Sequence, residues 1–448
     1  MVERLVVIGG VAAGMSAAAK ARRENPDLDV VVYERGGYIS YAACGMPYWL
    51  AGDVPDIGAL IVRTPEQMAK QGVQVCIHHD VTAIDPGTRA VTVRDLEAGH
   101  EFSREYDRLV IATGARAAVP SFAQPASSLE GVLELRSLES GLAARRFLDE
   151  QKPRRAVIVG GGYIAVEMAE TLHRLGLEVT LLIRSGQVLR SSLDDDVRGS
   201  VEKELARHGV EVVQGTALAL EGEGRVAAVV AEGGTYPAEV VLLGVGARPN
   251  VELAHEAGVA LGPAGAIATD ETMLTNLPGV YAAGDCAEAL HLVTGRPAYL
   301  PLGSTANKQG RVAGTNAAGG QATFGGIVGT MIVRCFDLSV GSTGLTTAEA
   351  RALGYEVEST TIRARDLSHY FPGAAEMTVK LVADASNGRL LGGQIVGPGP
   401  AAKRIDTLAT ALYNRMTLAE LQRLDLAYAP PFAPVWDPIL VAANVAVK

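Results

Sequence analysis

The chain has 448 residues, 48% of them hydrophobic and 20% charged, and a formal net charge of −10. That length exceeds what one core organises and calls for two or three domains, while the composition excludes wholesale disorder. The acidic balance disfavours nucleic acid and anionic membranes as partners, so an anionic ligand needs a local basic pocket.

Met1 to Arg4 runs straight into Leu5–Ile8 with no basic segment and long apolar core behind it, so no signal peptide is expected. No apolar run approaches the ~20 residues that span a bilayer. Cys44, Cys76, Cys286 and Cys335 are scattered and form no C-x-x-C pair. Neither disulfide staples nor a metal site is expected, and a reducing cytoplasm is the default location.

Arg4–Gly9 predicts a short buried strand and Met15–Arg23 an Ala-rich helix. Between them, Gly9-Gly10-Val11-Ala12-Ala13-Gly14 puts glycine at the first and sixth places of the dinucleotide fingerprint, with Val11 in the middle place. Small residues there let backbone amides approach a pyrophosphate at the helix start. Asp29–Glu34 predicts a second strand, ending in a carboxylate at the spacing that meets a ribose hydroxyl pair. The alternative is an ordinary tight turn between strand and helix.

Next comes Ser40-Tyr-Ala-Ala-Cys44-Gly-Met-Pro-Tyr48. Gly45 and Pro47 predict that Cys44 starts or precedes a helix, whose amino end would lower the thiol pKa. The other three cysteines read as structural.

Tyr106–Ile111 predicts a strand closing on Ala112-Thr113-Gly114-Ala115. A second unit follows: strand Ala156–Val159, the loop Gly160-Gly161-Gly162-Tyr163-Ile164-Ala165, and a helix over Val166–Leu175. Its next strand, Glu178–Ile183, ends without an acid and is followed by Arg184. An arginine there accepts a ribose 2′-phosphate that an acid would repel; a solvated surface charge is the plain alternative. Two such units imply a flavoprotein that also takes a nicotinamide. Leu242–Asn250 and Thr275–Asp285 then return the chain toward the first domain, the latter ending in Gly-Asp at a strand's carboxyl end.

With these motifs in this order, the chain resembles the pyridine nucleotide–disulfide oxidoreductases over its whole length. It looks most like their single-cysteine branch: coenzyme A disulfide reductases, NADH oxidases and NADH peroxidases. The resemblance implies an α/β fold with two Rossmann-like dinucleotide-binding domains, glutathione-reductase-like, plus an α+β C-terminal dimerisation domain. Residues 1–116 and 248–323 would bind FAD, 117–247 NADPH or NADH, and 324–448 would form a homodimer. By the same likeness Gly9, Val11, Ala12, Gly14, Glu34, Arg35, Val81, Thr113, Gly114 and Asp285 border FAD. Gly162, Tyr163, Ile164, Glu167, Arg184 and Gly246 border the nicotinamide dinucleotide, Tyr163 covering the flavin until it enters.

Ala12 stands where oxidases and peroxidases usually carry a histidine. The Cys-Gly-Met-Pro-Tyr run and the tail Leu426–Phe432 also look like the coenzyme A disulfide reductases. With the sequence ending at Lys448, the sulfurtransferase domain fused to some relatives is expected to be absent. The likeness implies NAD(P)H-driven reduction of a small disulfide, coenzyme A disulfide first, through a mixed disulfide on Cys44. Arg22, Arg23, Ser40 and Lys308 would hold coenzyme A. Tyr428 of the partner subunit, with Tyr370, would assist the departing thiolate; Phe371 replaces a second tyrosine often found in relatives. Reduction of a polysulfide or persulfide, or NADH oxidation by oxygen, is the alternative on the same scaffold. A non-catalytic redox sensor is a more distant one.

Overall fold

A computed structural model describes residues 3–126 and 129–447. Five parallel strands form the first sheet, in the order Val280–Ala282, Arg108–Ile111, Arg4–Ile8, Asp29–Tyr33, Val73–Cys76. Runs such as Leu5-Val6-Val7-Ile8 and Val30-Val31-Val32 are apolar on both faces because both faces of a parallel sheet are covered. On one face lie the helices Ala12–Glu24 and Gly303–Ala317. They touch backbone to backbone: a Cβ on Gly310 or Gly314 would sit 2.2 Å from the carbonyl oxygen of Ala13 or Ala17. The other face packs on the antiparallel meander His79–Asp85, Ala90–Asp95, Glu101–Glu105.

A second parallel sheet has the order Glu211–Gln214, Glu178–Ile183, Arg155–Val159, Val240–Leu243, Val132–Leu133. The chain passes between the two sheets twice, in the short strands Ala115–Ala117 and Ala247–Pro249, which pair antiparallel. Thr113 Oγ1 donates to Asn250 O at 2.7 Å and Asn250 Nδ2 to Thr113 O at 2.8 Å, which ties the passages together.

The carboxyl-terminal part is an antiparallel sheet, Met331–Cys335, Leu338–Gly344, Leu390–Pro398, Glu376–Asp384, Val357–Arg365. Helices Ile405–Tyr413 and Pro438–Ala446 bury Leu408 and Ile439 against Leu381 and Ile395. Among the described residues no helix is long and apolar enough to cross a membrane.

Both helices that follow the Gly-rich turns begin earlier than the sequence suggests, at Ala12 and Tyr163. The turn residues themselves adopt helical geometry, which brings the first-turn amides up to the strand ends.

Candidate active site

Gly9 sits at φ +103, and a Cβ there would meet the Ala112 carbonyl oxygen at 2.2 Å. A Cβ on Gly14 would meet the Gly9 oxygen at 1.8 Å. Only glycine permits this turn and this strand–helix contact. The helix Ala12–Glu24 has no side-chain cap and no acid in its first turn, and the same holds for Tyr163–Arg174. By contrast, Leu138–Gln151, Thr347–Ala352 and Leu418–Leu421 begin with capping boxes. The first-turn amides at the two Gly-rich turns thus carry no side-chain cap.

Glu34 closes the first unit. Its Oε2 accepts from Gly10 N at 2.6 Å and its Oε1 from Gly36 N at 2.7 Å. Burial raises its pKa, against those two bonds. Arg35 beside it is exposed, whereas Val81 is buried in the meander opposite Val93.

Ser40, at φ +47, donates its amide to Gly10 O at 2.8 Å and so hangs the cysteine segment from the first turn. Cys44 lies in a single 3-10 turn, Ala43–Gly45, immediately before the five-residue helix Met46–Leu50. Cys44 is exposed, Cys76 half-buried, and Cys286 and Cys335 are buried. The expected depression of the Cys44 thiol is not found. Packing around the sulfur raises it, the carboxylates of Glu167 and Asp285 add to this, and Arg136 opposes. So short a helix contributes too little field to offset burial and two acids.

These neighbours converge from distant places. Asp285, at the carboxyl end of the strand Val280–Ala282, pairs with Arg136 Nη2 at 2.5 Å; Arg136 Nε also donates to Ala115 O at 3.1 Å. The Tyr299 hydroxyl, raised by burial and by Asp285, is buried without a partner among the described residues. Tyr48 donates its hydroxyl to Glu167 Oε1 at 2.7 Å, and the Arg334 guanidinium lies 4.8 Å from the Tyr48 ring centre.

At the second turn Gly160 is at φ +125, with a hypothetical Cβ 2.2 Å from Gly244 O, while the space around Gly162 is open. Residues 184–193 fold back onto this turn. Leu189 N donates to Gly161 O at 2.7 Å, and the Tyr163 and Ser192 hydroxyls share a hydrogen bond of 2.6 Å. The half-buried Ile164 follows Tyr163 on the helix, and Gly246, at φ +108, follows the strand Val240–Leu243. Arg184 and Arg190 bracket the loop, both exposed, and neither has a hydrogen-bond or ion-pair partner among the described residues.

The proposed substrate residues separate into two groups. Arg23 and Lys308 are exposed and unpaired among the described residues. Arg22 departs from expectation: its Nη1 donates to the carbonyls of Pro26 and Leu28, and the guanidinium packs against Gly72. It braces the turn after its own helix and is not a free cation. Tyr428 and Tyr370 lie together on the carboxyl-terminal part, exposed, with the Tyr428 hydroxyl in reach of Tyr370 and Ser368. Neither is among the charged neighbours of Cys44 in its own chain.

Sequence reading missed Arg136, Tyr299, Arg190 and the Tyr48–Glu167 contact. A signal existed only for Arg190, a second cation on the loop after an acid-free strand end.

Comparison with known proteins agrees with this geometry. Residues 3–321 match the pyridine nucleotide-disulphide oxidoreductase family, and residues 330–438 match its dimerisation domain. The chain belongs to this family. A relative named NAD(P)H coenzyme A polysulfide/persulfide reductase, from Pyrococcus horikoshii, is 42% identical over 99% of the chain and 98% of its own length. A coenzyme A disulfide reductase of Staphylococcus haemolyticus is 29% identical, with 96% of each protein covered. The solved structure of reduced CoADR-RHD from Bacillus anthracis superposes with a TM-score of 0.96 at 33% identity, covering all of this chain and 80% of that one. The oxidoreductase is thus an FAD-dependent NAD(P)H disulfide oxidoreductase of α/β fold with a dimerisation domain. Its Gly-only turns, uncapped amides, Glu34 and the unpartnered Tyr299 hydroxyl beside Asp285 fit FAD.

Proposed function

We propose that the oxidoreductase reduces coenzyme A disulfide with NADPH, using Cys44 as its single redox-active sulfur. The observation that carries this is that Cys44 alone of the four cysteines is exposed, next to a turn built for a dinucleotide, with no second thiol to close an internal disulfide. The Cys44 thiolate attacks one sulfur of the substrate disulfide. The S–S bond breaks, a mixed disulfide forms on Cys44, and the other half leaves as a thiolate that takes a proton. FAD supplies the two-electron connection between NADPH and that mixed disulfide. Arg23, Lys308 and Ser40 bind coenzyme A, whose phosphates need cations on an acidic protein. Arg184 and Arg190 bind the 2′-phosphate of NADPH. Residues 1–116 with 248–323 hold FAD, 117–247 the nicotinamide and 324–448 the twofold partner, whose Tyr428 and Tyr370 complete the site across a homodimer.

A second reading, reduction of a coenzyme A polysulfide or persulfide, is favoured by the 42% identity to the Pyrococcus horikoshii relative. Mass spectrometry of the purified enzyme is expected to find a coenzyme A adduct on Cys44. NADPH-dependent thiol release from coenzyme A disulfide is expected to fall to background in Cys44→Ser. Turnover surviving in Cys44→Ser would remove the whole reading. Faster turnover with coenzyme A persulfide than with the disulfide would select the second.

A further inference from the structure

Residues 184–193 carry Arg184 and Arg190, and three anchors fix the stretch around Arg190. Leu189, buried and turned at φ +50, donates its amide to Gly161 O at 2.7 Å. Ser192, also buried, shares the 2.6 Å bond with the Tyr163 hydroxyl. The third anchor is Asp194, and its partners come from the carboxyl-terminal part of the chain. Gln394 brackets it: Gln394 Oε1 accepts the Asp194 amide at 2.8 Å, and Gln394 Nε2 donates to Asp194 Oδ2 at 3.0 Å. Thr347 Oγ1 donates to the same oxygen at 2.7 Å, Thr347 N reaches both carboxylate oxygens at 3.2 and 3.1 Å, and Lys380 Nζ lies 3.1 Å from Oδ2. Gln394 and Lys380 are buried in the strands Leu390–Pro398 and Glu376–Asp384, and Thr347 opens the helix Thr347–Ala352.

This clamp breaks a local rule. Asp194 is the N-cap residue of the helix Asp195–Arg207, a place where aspartate normally accepts from amides of its own first turn. Its side chain makes no such bond and turns instead to Thr347, Gln394 and Lys380. A local preference given up in this way points to a longer-range requirement. Among residues 188–193 only Arg190 and Ser191 are exposed, and they lie between the anchors at 189 and 192. A guanidinium loses freedom when it grips a phosphate. On a backbone already pinned at both sides it loses less, so pinning raises affinity by preorganisation.

We propose that Gln394, Thr347 and Lys380 are positioning residues for nicotinamide recognition: by clamping Asp194 they hold Arg190 where the 2′-phosphate of NADPH arrives. The inference rests on the assignment of Arg184 and Arg190 to that phosphate. Lys380 is not itself a phosphate ligand, because its ammonium is committed to Asp194 and, at 2.6 Å, to Asp196. The carboxyl-terminal sheet thus takes part in the choice between NADPH and NADH through the loop rather than by contact.

The test follows flavin reduction in the holoenzyme by anaerobic stopped flow, with NADPH and NADH in separate series, so that no disulfide substrate is needed. Gln394→Leu removes two bonds of the clamp and Thr347→Val one. The half-saturating NADPH concentration should rise about fivefold in the first and about twofold in the second, while the NADH value and the limiting rate of flavin reduction stay at wild type. Thr347→Ser keeps the hydroxyl and should restore the wild-type value. In an Arg190→Ala background Gln394→Leu should add little, since both act through one contact. Equal changes for NADPH and NADH, a lower melting temperature with both values unchanged, or additive losses in the Gln394→Leu/Arg190→Ala double variant each overturn the positioning role. If Arg184→Ala and Arg190→Ala both leave the NADPH value untouched, the 2′-phosphate assignment itself falls, and the positioning role with it.

Discussion

The two Gly-rich turns share a backbone design and differ at their strand ends. The first closes on Glu34, whose carboxylate is gripped by the amides of Gly10 and Gly36. The second closes on Ile183, followed by Arg184 and, at the far end of the next loop, Arg190, which nothing among the described residues engages. A preorganised acid suits neutral ribose hydroxyls and a permanently held cofactor. Unpaired cations suit a ligand that brings its own phosphate and then leaves. Under the proposed assignment the same turn would serve a resident and a visiting dinucleotide, with the residues just past the second strand setting the difference.

The comparison breaks most sharply at the glycines. Gly9→Ala must fit a Cβ 2.2 Å from a backbone oxygen at positive φ, so a loss on the order of 3 kcal/mol is expected, with flavin absorbance lost alongside a lower melting temperature. Gly162→Ala meets no atom within 4 Å, and its melting temperature and bound flavin should stay near wild type while KM for the nicotinamide rises. At the strand ends, Arg184→Ala and Arg190→Ala should each raise KM for NADPH about tenfold and leave that for NADH nearly unchanged, as loss of a charge-assisted bond implies. Glu34→Gln should weaken FAD binding instead, measured by flavin release on dilution. Equal losses for NADH and NADPH in both arginine variants would erase the assigned contrast.

The smallest effect is on pH dependence. Glu34 is raised in the folded chain, so the native state holds that proton more tightly than the unfolded one. Its stabilising contribution is full below the ordinary carboxylate range and is lost as pH climbs through the raised value. In apoprotein, Glu34→Gln should flatten the fall in melting temperature over that interval. An unchanged slope would show that Glu34 is not the group responsible.

The fold was legible because glycine turns are dictated locally. Gly9, Gly14 and Gly160 lie where backbone oxygens leave no space for a side chain, and the flanking strands are buried on both faces, so turn and strand both mark the chain. Cys44 was legible through its small neighbours and Pro47. Its electrostatics were not. Arg136, Asp285 and Glu167 act on the charge of the sulfur from three segments far apart in sequence, and no local pattern reports it. Arg22 shows the converse: beside Arg23 it reads as half of a basic pair, but a carbonyl-rich turn six residues on takes it.

The paired passages Ala115–Ala117 and Ala247–Pro249 carry a consequence for how such a molecule is assembled. Entry and exit of the intervening segment lie side by side, so that segment is a cassette plugged into a host whose own sheet is continuous without it. If that segment holds the nicotinamide as proposed, transplanting one contiguous stretch of gene should exchange cofactor preference, and because Arg136 and Glu167 travel with it, the charge around Cys44 should change as well.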